Sequence, residues 1–339
     1  MCIARRSMPM MARFPRMTSP WPISIDDVLA ARDRLRPYLS PSPLRRYPLL
    51  DELVGHGIAV YVKHENHLPV QTFKVRNGLS AVTALDDAAR ARGVIGASTG
   101  NHGQGMAYAA KLLGIPCTIV VPVGNNPEKN AAIRALGAEL VEYGAIYDES
   151  ARRCAELSAE RGMTLIHGIN DRTVIAGAAT MTLEMMEQQP DLDVIFIALG
   201  GGSQAVGAMT VTRALRPSTQ VVAVQSDAAP AQYESWKQGQ VVRAPVKTFA
   251  EGIATGQAYE MTFPALCEGL ADFLLVSEAE LADSLRELIR TTHNLPEGAA
   301  AGGLAGLRKA AARYAGKKVA IVLCGGNISV EALRKVLNG

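Results

Sequence analysis

The segment "ALGGGSQAVGA", residues 198–208, joins an apolar run that ends at Leu199 to a helix-like stretch that begins at Ser203. Its three successive glycines let the backbone wrap closely around a phosphate, because no side chain blocks the approach. Open α/β sheets bind ligands at such strand-to-helix turns. The same letters also satisfy G-x-G-x-x-A, with Asp227 after the next strand, so a dinucleotide site remains an alternative. The segment therefore predicts a parallel sheet with an anion site at its edge.

Strand-like and helix-like stretches alternate on both sides of this segment. The pattern predicts strands at 58–62, 94–97, 117–122, 139–143, 194–199, 221–225 and 319–323. It predicts helices at 74–92, 101–113, 128–136, 148–161, 203–214, 278–292 and about 298–313, with a last helix after Asn327. Residues 228–275 show a looser pattern. This βαβ rhythm indicates the α/β class, with mostly parallel sheets flanked by helices.

Composition limits the classes of partner. The 339 residues are 48% apolar and suffice for about two domains. The net charge is only +3 and no basic stripe with interleaved aromatics occurs, which argues against nucleic acid. Residues 194–212 lack charge, but glycines interrupt them, so we expect no membrane span. Five isolated cysteines predict a reducing cytoplasm and no disulfide framework. Residues 1–20 hold four arginines and no acid, and we expect a disordered extension rather than a transit peptide.

Two more glycine turns and one lysine carry possible chemistry. "ASTGNHGQG", residues 97–105, places hydroxyls and backbone N–H groups at a helix N-terminus, where a carboxylate could bind. "VLCGGNIS", residues 322–329, places Cys324 at the end of a strand. "QTFKVRNG", residues 71–78, places Lys74 at the start of a helix. Taken singly, each has a simpler explanation: the first turn as a helix cap, Cys324 as a buried thiol, and Lys74 as part of a solvated helix face.

Together the four segments are far more specific. A lysine in [ST]-F-K-x-R, then S-[ST]-G-N-H, then a triple glycine and a near-terminal [SC]-G-G-N occur in this order. The chain thereby resembles the fold-type II pyridoxal-phosphate enzymes, the serine/threonine dehydratase (ammonia-lyase) and serine racemase family, over about residues 25–335. The resemblance implies a two-domain, tryptophan synthase β-like fold and a homodimer. It assigns 21–92 and 169–339 to a large cofactor-binding domain and 93–168 to a small domain.

The resemblance also implies a role for individual residues. Lys74 would hold pyridoxal 5'-phosphate as a Schiff base and, with Thr99 on the opposite face, would be catalytic. The other implied cofactor contacts are Phe73 beside the ring, Asn101 at its phenolic oxygen, Gly200, Gly201, Gly202 and Ser203 at the phosphate, Glu297 near the ring and Cys324 at the pyridine nitrogen. The implied substrate contacts are Ser98, Thr99, Asn101 and His102 at the carboxylate, with Gln71 shaping the pocket.

Three departures from the family pattern affect the expected chemistry. Gln71 and Asn77 replace glycines on either side of the lysine motif. Gln225 stands where some members carry a metal-binding glutamate, with Ala229 and Ala231 beyond it, so we expect no metal site. Cys324 offers only a weak donor to the ring nitrogen, which should stay largely unprotonated. That electronic state favours β-elimination.

The function implied by the resemblance is a lyase that converts a β-hydroxy amino acid to a 2-oxo acid and ammonia. We expect a threonine-like substrate, with phenylserine or serine also possible. We expect 3-hydroxyaspartate to be disfavoured, because Arg76 is the only arginine in the matched segments. The alternatives are a pyridoxal-phosphate racemase, a nicotinamide-dependent oxidoreductase built on residues 198–208, and a non-catalytic binding protein, for which Lys74 would be unnecessary.

Overall fold

The computed structural model describes residues 19–338. The predicted extension, residues 1–20, lies outside the described part except for its last two residues. The strands are β1 (Leu44–Arg46), β2 (Ala59–His64), β3 (Val94–Ala97), β4 (Cys117–Val121), β5 (Glu139–Glu142), β6 (Thr164–Leu165), β7 (Val194–Ala198), β8 (Gln220–Ser226), β9 (Asp272–Val276) and β10 (Lys318–Leu323).

Helices cover the faces of the sheets. They are α1 (Ile25–Leu35), α2 (Pro48–Val54), α3 (Lys74–Thr83), α4 (Asp87–Arg92), α5 (Asn101–Leu113), α6 (Pro127–Ala135), α7 (Tyr147–Arg161), α8 (Arg172–Gln188), α9 (Ser203–Leu215), α10 (Ala231–Gln238), α11 (Phe263–Gly269), α12 (Glu278–Thr292), α13 (Gly302–Ala310) and α14 (Val330–Asn338). Among the described helices, none combines the length and the apolar character that a bilayer-spanning segment needs.

The strands form two sheets. The larger has six strands in the order β1-β2-β10-β7-β8-β9 and the smaller has four in the order β5-β4-β3-β6. All pairs are parallel except the edge pair β1–β2, which is antiparallel. The predicted α/β class with parallel sheets is therefore confirmed. The smaller sheet lies entirely within residues 93–168, although the exact domain bounds stay a prediction.

The central strands are apolar along their whole length rather than alternating. In β7 and β10 nearly every residue is buried, including both faces of the runs at 194–197 and 319–323. Strands buried between two helical layers require apolar side chains on both faces. This burial places the carboxyl ends of β7 and β10, with their glycine turns, at one edge of the larger sheet.

Helix α3 is fixed by unusually close helix packing. A Cβ atom at Gly78 would collide with the backbone carbonyl of Gly105 in α5, and one at Gly105 would collide with the carbonyl of Lys74. On its other side, a Cβ at Gly177 in α8 would collide with the carbonyl of Arg76. Only glycine permits such backbone contacts. The start of α3 is therefore held directly against α5 and α8.

A buried ion network also anchors α3. The Arg76 guanidinium donates to Glu65 at 2.7 and 3.0 Å and to Glu184 at 2.6 and 2.7 Å. The ammonium of Lys63 donates to Glu184 at 2.7 Å. Burial alone would lower the pKa of Arg76, but the adjacent carboxylates of Glu65 and Glu184 raise it. The network joins α3 to β2 and α8, and its two positive and two negative charges balance.

Several predicted elements differ from those in the structure. The helix predicted at 74–92 is two helices, because the Asp86 side chain accepts a hydrogen bond from the Ala89 N–H at 2.7 Å and starts α4. The looser stretch at 228–275 contains α10, α11 and most of β9. Helix α8 was not predicted. Most of its residues are buried, so its sequence lacks the apolar and polar faces of a surface helix.

Candidate active site

Lys74 is the first residue of α3 and lies beside the end of β10. The Phe73 N–H donates to the Cys324 carbonyl at 3.0 Å, and Thr72 pairs with Gly325 in a single antiparallel β-bridge. The Lys74 ammonium lies 4.7 Å from the centroid of the Phe73 ring. Burial lowers the pKa of Lys74 to about 8. About a tenth of the amine is therefore neutral at pH 7, and a nucleophile or base requires this neutral form.

The turn after β10 brings Cys324 and Glu297 together. Both are buried, and the Cys324 thiol lies 3.8 Å from Oε1 of Glu297. Burial raises the pKa of the Glu297 carboxyl and holds that of Cys324 well above its usual range, so Cys324 remains a thiol. A Cβ at Gly325 would lie 2.7 Å from Oε1 of Glu297. The glycine is therefore needed for the carboxylate to reach this position.

Asn101 connects the two sheet units at this point. It begins α5, and its Nδ2 donates to both Glu297 oxygens at 2.9 Å. Its Oδ1 accepts from Nδ2 of Asn327 at 2.8 Å, and Asn327 also donates to the Val70 carbonyl at 2.9 Å. Asn327 was missed as a site residue. Its position as the last residue of the C-G-G-N motif could have identified it.

The turn at residues 97–105 is organised by Ser98. Its buried hydroxyl accepts from the N–H groups of Gly100 and Gly103 at 3.2 and 2.9 Å. The His102 ring is buried against Gly168, and burial lowers the pKa of His102 to about 3. The imidazole is therefore neutral and offers no positive charge to a carboxylate. Backbone N–H groups at the start of α5, including those near Thr99, remain suited to an anion.

The turn at residues 200–203 forms a second anion cradle, between β7 and α9. Gly202 has φ +93°, which favours glycine, and a Cβ at Gly201 would collide with Ile169. The Gly200 carbonyl accepts from Nε2 of Gln232 at 2.9 Å. Because the surrounding protein binds the carbonyl groups of this turn, its N–H groups and those of the first turn of α9, beginning at Ser203, remain available to a ligand. These groups lack helical partners and favour a phosphate.

The Gln71 side chain lies at the surface. Val70 and Gln71 both have left-handed backbone angles, with φ +55° and +48°. Such angles are strained, especially for β-branched Val70. Here they let the Gln71 carbonyl accept from the Gly326 N–H at 2.9 Å while the Val70 carbonyl faces Asn327. A role for Gln71 in the substrate pocket stays a prediction.

The amide of Gln225 is satisfied within the protein. Its Oε1 accepts from the Tyr233 N–H at 3.1 Å and its Nε2 donates to the Thr255 hydroxyl at 3.2 Å. Within residues 19–338 no three His, Cys, Asp or Glu side chains form a group that could hold a metal ion. The position that holds a metal-binding glutamate in some similar enzymes thus forms neutral hydrogen bonds here.

Known proteins are similar to this chain in sequence and in fold. Residues 35–325 match the family described as pyridoxal-phosphate dependent enzyme. The chain belongs to this family. It is 35% identical to the L-threonine ammonia-lyase of Thermotoga maritima, covering 93% of this chain and 78% of that one. It is also 35% identical to an L-threo-3-hydroxyaspartate ammonia-lyase from Pseudomonas sp, covering 93% and 99%. The structure of serine racemase from Dictyostelium discoideum matches with TM-score 0.86 and 30% identity, covering 91% and 100%.

Pyridoxal phosphate is therefore the cofactor of this enzyme, and the residues present fit it. An amine of lowered pKa, a turn of three glycines packed too closely against Gly252, Ile169 and Thr262 to admit a Cβ, and a buried carboxyl lie at the same sheet edge. The amine suits the aldehyde of the cofactor, the glycine turn suits its phosphate, and the carboxyl suits its polar aromatic ring. The nicotinamide alternative leaves the amine and the Asn101–Glu297 contact unexplained.

We expect cofactor uptake by the apoenzyme to depend on pH through Lys74. Only the neutral amine attacks an aldehyde, so the uptake rate should rise about tenfold per pH unit below about 8 and level off above it. Stopped-flow absorbance after mixing with pyridoxal phosphate measures this rate, with N-acetyl-lysine amide as the unperturbed control. A midpoint near that of the control would show that burial does not depress the pKa of Lys74.

Proposed function

We propose that this enzyme is an ammonia-lyase that converts a β-hydroxy amino acid to a 2-oxo acid and ammonia by β-elimination. The observation that carries the proposal is the neutral, buried thiol of Cys324 at the position expected to face the pyridine nitrogen. A thiol does not keep that nitrogen protonated, so loss of the β-hydroxyl is favoured over a long-lived carbanion. The ammonia-lyase names of the relatives support the same reaction class.

Each part of the site has a task in this proposal. Bound pyridoxal phosphate supplies the electron sink. The amine of Lys74, with its lowered pKa, takes the Cα proton. The backbone N–H groups of Thr99, Asn101 and His102 would bind the substrate carboxylate, with the Thr99 hydroxyl beside it. Asn101 would turn its amide N–H from Glu297 to the phenolic oxygen, Phe73 would pack beside the ring, and residues 200–203 would hold the phosphate.

The charge of the site favours a substrate with a single carboxylate. The relatives do not separate threonine from 3-hydroxyaspartate, because both names occur at 35% identity. The donors of Arg76 are occupied by Glu65 and Glu184, and Lys129, near Gly100, is paired with Glu251. Neither of these two cations is thus free to pair with a second buried carboxylate. Methyl and aryl groups need only space and dispersion contacts.

We therefore expect kcat/KM to be highest for threonine and phenylserine, lower for serine, and at least about a hundredfold lower for 3-hydroxyaspartate. The assay is 2-oxo acid release over these four compounds, with chiral analysis of the remaining amino acid. Fastest turnover of 3-hydroxyaspartate would overturn the charge argument. Interconversion of enantiomers without 2-oxo acid would instead identify a racemase.

Activity should not depend on a divalent cation. Mg²⁺ and Ca²⁺ need oxygen ligands that usually include carboxylates, whereas Gln225 and Ala231 supply none. We expect a chelator to leave 2-oxo acid release within about twofold of the untreated rate, provided that pyridoxal phosphate is kept saturating. A several-fold loss that Mg²⁺ or Ca²⁺ restores would reveal a cation site elsewhere.

We further propose that the enzyme acts in the cytoplasm as a homodimer, with residues 93–168 as a small domain. Two observations support parts of this proposal: Cys117 and Cys154 are buried free thiols, and the four-stranded sheet falls inside that segment. Light scattering of the purified protein tests the dimer directly.

A further inference from the structure

One ion pair joins the two sheet units beside the proposed site. Lys129 lies in the first turn of α6, between two strands of the smaller sheet, and its ammonium pairs with the carboxylate of Glu251. Glu251 begins a short 3-10 helix, residues 251–253, between two strands of the larger sheet. The Lys129 side chain is 10% exposed and that of Glu251 is 57% exposed. The cation is thus buried, and its partner reaches it from the surface.

On one side, Lys129 supports the turn at 97–105. A Cβ at Gly100 would lie 3.0 Å from Cδ and 3.4 Å from Nζ of Lys129, so the lysine side chain lies against this glycine. The neighbouring Asn125 donates to the Thr99 carbonyl at 3.2 Å. The beginning of α6 therefore packs along the turn that we assign to the substrate carboxylate.

On the other side, Glu251 belongs to a segment that supports the turn at 200–203. The next residue, Gly252, places its carbonyl against Gly200, where a Cβ would collide with it. A Cβ at Gly252 would lie 3.7 Å from Oε1 of Glu297. The pair thus connects the two turns that we assign to the substrate carboxylate and to the cofactor phosphate.

We propose that Lys129 is a positioning residue, which pairs with Glu251 to hold the 97–105 turn against the 200–203 turn. The inference rests on the proposed function for the assignment of these turns to a carboxylate and a phosphate. A buried ammonium needs a counter-charge, and Glu251 supplies it only while the two units are together. The pair therefore favours the arrangement in which the two turns lie close enough to bind substrate and cofactor at one site.

The two partners differ in burial, so removing the charge of one should not have the same effect as removing the charge of the other. Glu251→Gln removes the counter-charge of a buried ammonium, although an amide oxygen remains, and this disfavours the arrangement in which the two units are together. Lys129→Met keeps an apolar stem against Gly100 and leaves Glu251 largely in solvent. The first change should therefore loosen the turns more than the second, and adding Lys129→Met to Glu251→Gln should restore much of the loss.

Hydrogen exchange of the holoenzyme, measured by mass spectrometry, tests this inference without a substrate. In Glu251→Gln we expect exchange at both 97–105 and 249–256 to quicken about tenfold. We also expect KM for any substrate that is turned over to rise about tenfold, with kcat within about threefold. Arg134→Met is the matched control, because Arg134 lies on the same helix and pairs with Glu142 at 2.9 Å within one unit. It should leave both quantities unchanged.

Wild-type exchange and KM in Glu251→Gln would overturn the inference. Faster exchange in only one of the two segments would also overturn it, because it would show a local role. If no compound of the substrate panel is turned over, the proposed function fails, while the exchange comparison still decides the role of the pair.

Discussion

Replacing Lys74 with alanine is expected to reduce 2-oxo acid release by on the order of a thousandfold or more. Lys74 supplies both the amine that holds the cofactor and the base that takes the Cα proton, and no other residue at the start of α3 can provide either. The methyl side chain fits a helix and makes no new buried charge. We therefore expect a folded protein with weak, non-covalent cofactor binding.

Lys111→Ala is the matched control for this variant. Lys111 also lies on a helix of the site, α5, but near its far end at the surface, and its change should leave activity within about twofold. Circular dichroism and thermal unfolding check that both variants fold. A Lys74→Ala enzyme with near-normal turnover would show that another amine carries the reaction.

Replacing Arg76 with methionine should destabilise the folded state by about 3–5 kcal/mol. Glu65 is fully buried, and both of its carboxylate oxygens accept from the Arg76 guanidinium. Without Arg76, Glu65 loses the guanidinium that contacts both of its oxygens, and Glu184 keeps its contact with Lys63. Because Arg76 lies two residues after Lys74, the loss should also displace the catalytic amine. Urea unfolding measures the stability, and kcat/KM measures the displacement.

Arg76→Lys provides the matched comparison. It keeps the positive charge but not the planar fork that bonds two carboxylates at once, so it should recover only part of the lost stability. A change at a surface pair such as Arg153→Met, opposite Glu156 and Glu160, should cost less than about 1 kcal/mol. Equal stability of Arg76→Met and wild type would mean that the network contributes nothing to holding α3.

The fold was largely predictable because two sequence features, an apolar run and a glycine turn after it, identify each of its central strands. Each apolar run that ends in a glycine turn, as at 194–202 and 319–326, predicts both a strand and the sheet edge where the ligand binds. Helix α8 escaped prediction because burial on most sides removes helical periodicity. The antiparallel edge strand β1 has three residues, too few to show a pattern.

The candidate site was predictable only where a motif carried it. Lys74, Asn101 and the 200–203 turn lie in motifs, and the structure places Asn101 against Glu297 at the end of β10, beside Lys74. The state of His102 could not be predicted, because burial by Gly168 depends on a distant segment. The Lys129–Glu251 pair joins residues 122 positions apart that share no motif. Only the folded chain brings them together.

Mapping the covalent link between enzyme and cofactor tests the central claim most directly. Borohydride reduction of the holoenzyme should fix the pyridoxyl group to one lysine, and peptide mass spectrometry should locate it on Lys74. A pyridoxyl group found on another lysine, or none on a holoenzyme that releases 2-oxo acid, would contradict the account.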